Sequence, residues 1–122
     1  MNSNNDFQVK VSYELTALID ISEDNDDSVA VDLGGGTLCG VFLPSNFDGT
    51  GFSLLACDTI DGTYSVVSKD DGTPYAAASV AAGEYVALNT EITKGLRFIK
   101  IKTASAQTTN DTIIKLATRG IS

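Results

Sequence analysis

The chain has 122 residues, 43% of them hydrophobic, a net charge of −8 and no histidine. A chain of this length forms one domain and buries roughly two-thirds of its unfolded surface, so it needs no staple to fold. The acidic balance argues against a nucleic-acid partner, whose phosphates need basic contacts that release counterions. The missing histidine removes the commonest general base, the usual zinc ligand and every Ser-His or Cys-His pair.

Residues 1–8, MNSNNDFQ, have neither a basic start nor an apolar centre, so no secretion signal is expected there. No apolar run reaches membrane-spanning length, and no membrane partner is expected. The domain is expected to take in residues 1–122, with 1–6 as a flexible N-terminal tail. In FQVKVSYELTALIDI (7–21), Phe7, Val9, Val11, Tyr13, Leu15, Ala17, Ile19 and Ile21 share one parity. Gln8, Lys10, Ser12, Glu14, Thr16 and Asp20 share the other, and Leu18 is the exception. This period of two predicts a strand with one buried face, and its length predicts a bend or a switch between sheets.

Further strand-like runs follow at 28–33, 37–43, 52–57, 63–68, 84–88, 96–103 and 112–118, with another at 74–80. SNFD (45–48) and TEIT (90–93) could each form a single helical turn. A spacing near ten residues, with Gly, Asn and Asp between the runs, predicts an all-β, antiparallel two-sheet β-sandwich. Asp-Gly-Thr occurs at 48–50, 61–63 and 71–73. It reads as turn chemistry: Gly supplies a positive φ, Asp bonds its own backbone, and Thr begins the next strand. Gly34-Gly35-Gly36-Thr37 lacks the Lys of a phosphate loop and reads as a turn between strands.

No catalytic residue, cofactor-binding residue or metal ligand is singled out, and the chain is not expected to be an enzyme. Carboxylates are plentiful, but there is no Trp for sugar stacking in a glycosidase cleft, and the acids sit mostly in turns. Glu23-Asp24-Asn25-Asp26-Asp27 offers oxygen ligands for calcium without the alternation and central Gly of a calcium loop, so a solvated loop is expected. Cys39 and Cys57 are expected to be buried, reduced thiols; a disulfide would require their strands to pair.

Charge divides along the chain. Residues 1–61 hold 11 acids and one base, and residues 62–122 hold 5 acids and 7 bases. This asymmetry suits head-to-tail contact between copies. The candidate subunit contact sets Asp20, Glu23, Asp24, Asp26 and Asp27 of one copy against Arg97, Lys100 and Lys102 of the next. The basic third has only Phe98 as an interleaved aromatic, too few for a nucleic-acid groove.

LCGVFLPSNFDGTGFSLLACDTIDGTYSVV (38–67) and VAAGEYVALNTEITKGLRFIKIKT (80–103) together resemble a group of small β-sandwich proteins of tailed-phage virions. The shared pattern falls on Gly40, Val41, Leu43, Pro44, Phe47, Gly49, Thr50, Asp61, Gly62 and Tyr64. It continues on Ala82, Gly83, Leu88, Gly95, Leu96, Arg97, Phe98, Ile99 and Lys100. Tyr64 stands where Trp is common, no Pro follows Leu88, and the first 36 residues match no pattern. The resemblance implies a jelly-roll-like sandwich on the virion surface, with no catalytic residues to transfer. A capsid decoration (cement) protein is expected, made in the host cytoplasm and bound to the major capsid protein on the head exterior. It would be a homo-oligomer, most simply a trimer, without cofactors. The alternative is a carbohydrate-binding module of a head fibre or tail, with Tyr64, Tyr75, Tyr85 and Phe47 as candidate sugar contacts.

Overall fold

The computed structural model describes residues 9–121. The expected tail at 1–6, and Phe7, lie outside the described residues. The strands are β1 (Val9–Ser12), β2 (Thr16–Asp20), β3 (Val31–Asp32), β4 (Thr37–Phe42), β5 (Gly51–Cys57), β6 (Ser65–Val66), β7 (Ala76–Ala78), β8 (Tyr85–Ala87), β9 (Phe98–Thr103) and β10 (Asp111–Ile121). One helical turn, α1 (Thr90–Thr93), precedes β9. It is the TEIT segment, and the Asn89 side chain caps it by accepting from the Glu91 N–H at 3.0 Å. SNFD makes only a turn, closed by the Phe47 N–H on the Pro44 carbonyl at 3.1 Å.

Two antiparallel sheets pack face to face, as expected. Sheet A runs β1-β10-β4-β8, with β2 also on β10; sheet B runs β3-β9-β5-β6, with β7 also on β5. Taking β1 with β2, and β6 with β7, as interrupted single strands leaves eight strands in the jelly-roll order, one sheet 1-8-3-6 and the other 2-7-4-5. The core lies between the sheets. Ala17, Ile19, Leu38, Val41, Ile99, Ile101, Ile114 and Leu116 are fully buried there. Each large aliphatic side chain so placed stabilises the fold by about 1.5–3 kcal/mol. Segment 27–33 closes one side: the Val29 N–H donates to Leu18 and the Ser28 N–H to Ile101, bridging the sheets.

The first long strand departs from its parity. Ala17 and Ile19 are buried as expected, but Val11 is 54% exposed and Tyr13 50% exposed. The register gives the reason. Ser12 faces Thr118 and Thr16 faces Lys115, so four steps on one strand (12 to 16) oppose three on the other (118 to 115). One extra residue between β1 and β2 is a bulge, and a one-residue slip turns every preceding side chain to the other face. The two segments stay on β10 in one sheet, so the strand does not switch sheets. On the other side of β10, β4 is bulged at the same level: Leu38 faces Thr118 and Gly40 faces Ala117, leaving Cys39 as the extra residue.

The glycine φ follows expectation at two of the three Asp-Gly-Thr sites, but Thr opens the next strand at none, since β5 begins at Gly51, β6 at Ser65 and β7 at Ala76. Gly49 and Gly72 have φ of 92° and 86°. Asp71 accepts from the Thr73 N–H at 2.9 Å, as an Asx turn should. Asp48 instead accepts from the N–H and hydroxyl of Thr108, so the first site ties two loops together. Gly62 departs from the expectation, because its φ is not positive. Space favours glycine there instead: a Cβ would meet the Cys57 thiol and the Thr59 hydroxyl, and those side chains would have to shift.

Candidate functional site: an exposed aromatic face

Cross-strand partners share a face of a sheet, which lets the outer face of sheet A be read from its register. Val11, Arg119 and Thr37 form one row. Ala117, Gly40 and Ala87 form the next, and Lys115, Phe42 and Tyr85 a third. The middle row is small because Tyr85 lies across it; a Cβ on Gly40 would collide with the Tyr85 ring and hydroxyl. Partial burial of its ring against the sheet pushes the Tyr85 phenol pKa up. Tyr13, carried outward by the bulge, meets Phe42 edge-on at 5.4 Å between centroids, and Phe42 meets Tyr85 at 4.6 Å. The result is a basin of about 540 Å³, walled by Val11, Tyr13, Phe42 and Tyr85, with Cys39, Ala117 and Arg119 also in its lining.

The four wall residues are 38–54% exposed. Their exposed parts sum to roughly 350–400 Å², the size of a patch that is often functional on a monomer. Among the described residues, neither Arg119 nor Lys115 pairs with an acid. The chain is acidic overall, yet this face carries two uncompensated cations around an apolar basin.

The residues expected to contact a neighbouring subunit lie elsewhere, and most lie together. Asp20, Glu23, Asp24, Asp27 and Lys100 border one cleft. Lys102 bonds Asp26 at 3.1 Å and Asp27 at 3.2 Å, and these bonds raise its pKa. The backbone N–H of Asp26, foremost, and that of Asp27 help hold the Asp24 carboxyl below the usual range. The Ser22 hydroxyl and N–H do the same for Asp20. Arg97 stands apart, on Asp32 at 3.0 Å, where the guanidinium and the Gly34 N–H lower the Asp32 pKa. Lys102 and Arg97 therefore meet acids of their own chain. Asp24, Asp26 and Asp27 could bring carboxylate oxygens within 4.8 Å of one another, but the Lys102 ammonium already lies on two of them.

Of the candidate sugar contacts, Phe47 is a core residue, 5% exposed. Tyr75 packs against the core and its hydroxyl accepts from the Asn89 N–H. Tyr64 donates to the Ile60 carbonyl under the Lys100 ammonium. Tyr85 is 46% exposed. The sequence reading missed Tyr13, Phe42 and Arg119. For Phe42 a signal was present: it alternates with Val41 and Leu43, which both point inward. The cysteines are free and half-buried rather than buried, Cys39 in sheet A and Cys57 in sheet B.

Fold and site together define a small jelly-roll sandwich with one charged, internally paired face and one open aromatic face. No family model matches the chain, and no curated protein or solved structure matches it either.

Proposed function

We propose that this is a non-enzymatic structural protein that works inside an assembly, of the capsid-decoration type: it binds the outside of a phage head and stiffens it. The observation that supports the assembly role is the aromatic basin on sheet A, since a contiguous exposed apolar patch of this size on a small sandwich marks an interaction surface. The head as the place of assembly is supported by the resemblance of residues 37–103 to virion sandwiches. The rigid eight-strand jelly roll suits that role. A module that binds only the assembled lattice stabilises it by mass action. Mixing purified protein with undecorated heads tests the reading: co-sedimentation and a higher temperature of DNA release are expected. Heads that neither bind the protein nor gain heat resistance contradict it.

A second reading, a carbohydrate-binding module, has the basin itself in its favour, with Tyr85, Tyr13 and Phe42 as sugar contacts. The residues lining the basin include no amide and no carboxylate. Sugar hydroxyls would be left to the tyrosine hydroxyls and Arg119. The rings also meet edge-on and tilted rather than as a flat platform. These features favour protein docking, and glycan-array binding by the isolated protein would reverse the preference.

A further inference from the structure

We propose that the basin on sheet A receives the loop Asp58–Asp61 of a second copy of this chain, with Ile60 entering the basin and Asp61 meeting Arg119; the inference rests on reading that face as a docking surface. Uncompensated groups of opposite sign on the same chain carry it. Arg119 beside the basin has no acid among the described residues. The loop that follows β5 presents Ile60, 39% exposed, between the exposed Asp58 and Asp61. Asp61 makes no ion pair or side-chain hydrogen bond among the described residues, and Asp58 meets only the Cys57 thiol, at 3.7 Å.

The loop is set before it docks. The Tyr64 hydroxyl donates to the Ile60 carbonyl at 2.8 Å, and the Gly62 N–H donates to the Thr59 carbonyl at 3.3 Å. A preset loop loses little conformational freedom on binding. The basin suits a branched aliphatic side chain, with Cys39 and Ala117 among its aromatic walls. Pairing two basins face to face would crowd Arg119 and Lys115 of one copy against the same residues of the other. Pairing basin with loop sets opposite charges together instead. The two surfaces differ, so the contact is heterologous and closes into a ring where the rotation allows. The basin offers about half of the roughly 800 Å² per partner that a stable interface buries, so the association is weak unless the surrounding face joins it.

Sedimentation velocity across a concentration series tests this on the full chain. Wild-type protein should form larger species as concentration rises. Arg119→Asp and Asp61→Arg should each weaken association about tenfold or more, because a like-charge contact replaces an opposite one. The double variant should recover it. Both positions are exposed, so unchanged melting temperatures should show that the variants fold. A monomer at every concentration overturns the proposal, as does association indifferent to Arg119→Asp or a double variant that stays weak. Glycan binding that Tyr85→Ala abolishes, in a protein that does not self-associate, assigns the basin to sugar and overturns it too. Failure to bind heads leaves this result readable, since self-association is measured without them.

Discussion

On sheet B, the Arg97 guanidinium lies 4.9 Å over Phe98, the Lys100 ammonium 4.9 Å over Tyr64, and Lys102 reaches Asp26 and Asp27. On sheet A, Tyr13, Phe42 and Tyr85 lean on one another, and Arg119 and Lys115 reach no acid among the described residues. Both faces combine aromatics with cations. They differ in what the loops do. The acidic loop folds onto β9, held by the Thr103 N–H on the Asp26 carbonyl and by a bridge between Asp27 and Lys102. Sheet A gains exposed apolar residues instead, because one bulge turns Val11 and Tyr13 outward. Loop placement and a single extra residue, more than composition, decide which face is available to a partner.

The largest effect separates the inside of sheet A from its outside. Ile19→Asp should abolish folding, since an unpaired buried charge costs several kcal/mol. Val11→Asp, on the same strand parity in the sequence, should change stability by no more than about 0.5 kcal/mol in chemical denaturation. Equal effects would return Val11 to the core and remove the bulge from the account. Next comes the loop beside sheet B. Gly62→Val should cost about 1–3 kcal/mol, because its side chain meets Cys57 and Thr59. Gly62→Ala should already show part of that loss, because its Cβ alone meets the same two side chains.

Smaller effects compare the cations. Lys102→Met should cost at most about 1 kcal/mol and the cost should shrink in salt, because the pair is partly solvated. Lys115→Met should leave the melting temperature unchanged, and a loss equal to that of Lys102→Met would mean that sheet A also pairs its charges. On the acid side, Asp32 is held below its ordinary pKa in the folded state by Arg97 and Gly34. Its contribution to stability is therefore present above the unfolded value of about 3.9 and is lost as pH falls through the folded value. Arg97→Gln should raise the Asp32 pKa, read by NMR titration of its carboxyl carbon. EDTA should not move the melting temperature, and a fall reversed by calcium would give the Asp24–Asp26–Asp27 cluster a metal.

Much of the fold was legible in the sequence. Alternation places Val41, Leu43, Ile99, Ile101, Ile114 and Leu116, and a near-ten-residue rhythm with turn residues sets the two-sheet sandwich. The bulge was not legible. Nothing in SYEL (12–15) marks an extra residue, because register belongs to the pair of strands and β10 lies a hundred residues away. The parity rule therefore placed Val11 and Tyr13 in the core and hid half of the site. Phe42 and Tyr85 were readable as outward by alternation with Val41 and Val86. What made them a basin was tertiary: Gly40 and Ala117 beneath the rings, and Tyr13 swung against Phe42. The charge asymmetry was legible too. Its intramolecular pairing at Lys102 and Arg97 needed the topology that lays residues 24–32 beside β9.

NMR spectra recorded across a concentration series read the two faces separately in one sample. Docking through the open face predicts that the ring signals of Tyr13, Phe42 and Tyr85, and the amides of 58–61, shift and broaden as concentration rises. Lys102 and the acidic loop 24–27 should stay fixed. Shifts centred on Lys102 and residues 24–27, or none at any concentration, would contradict it.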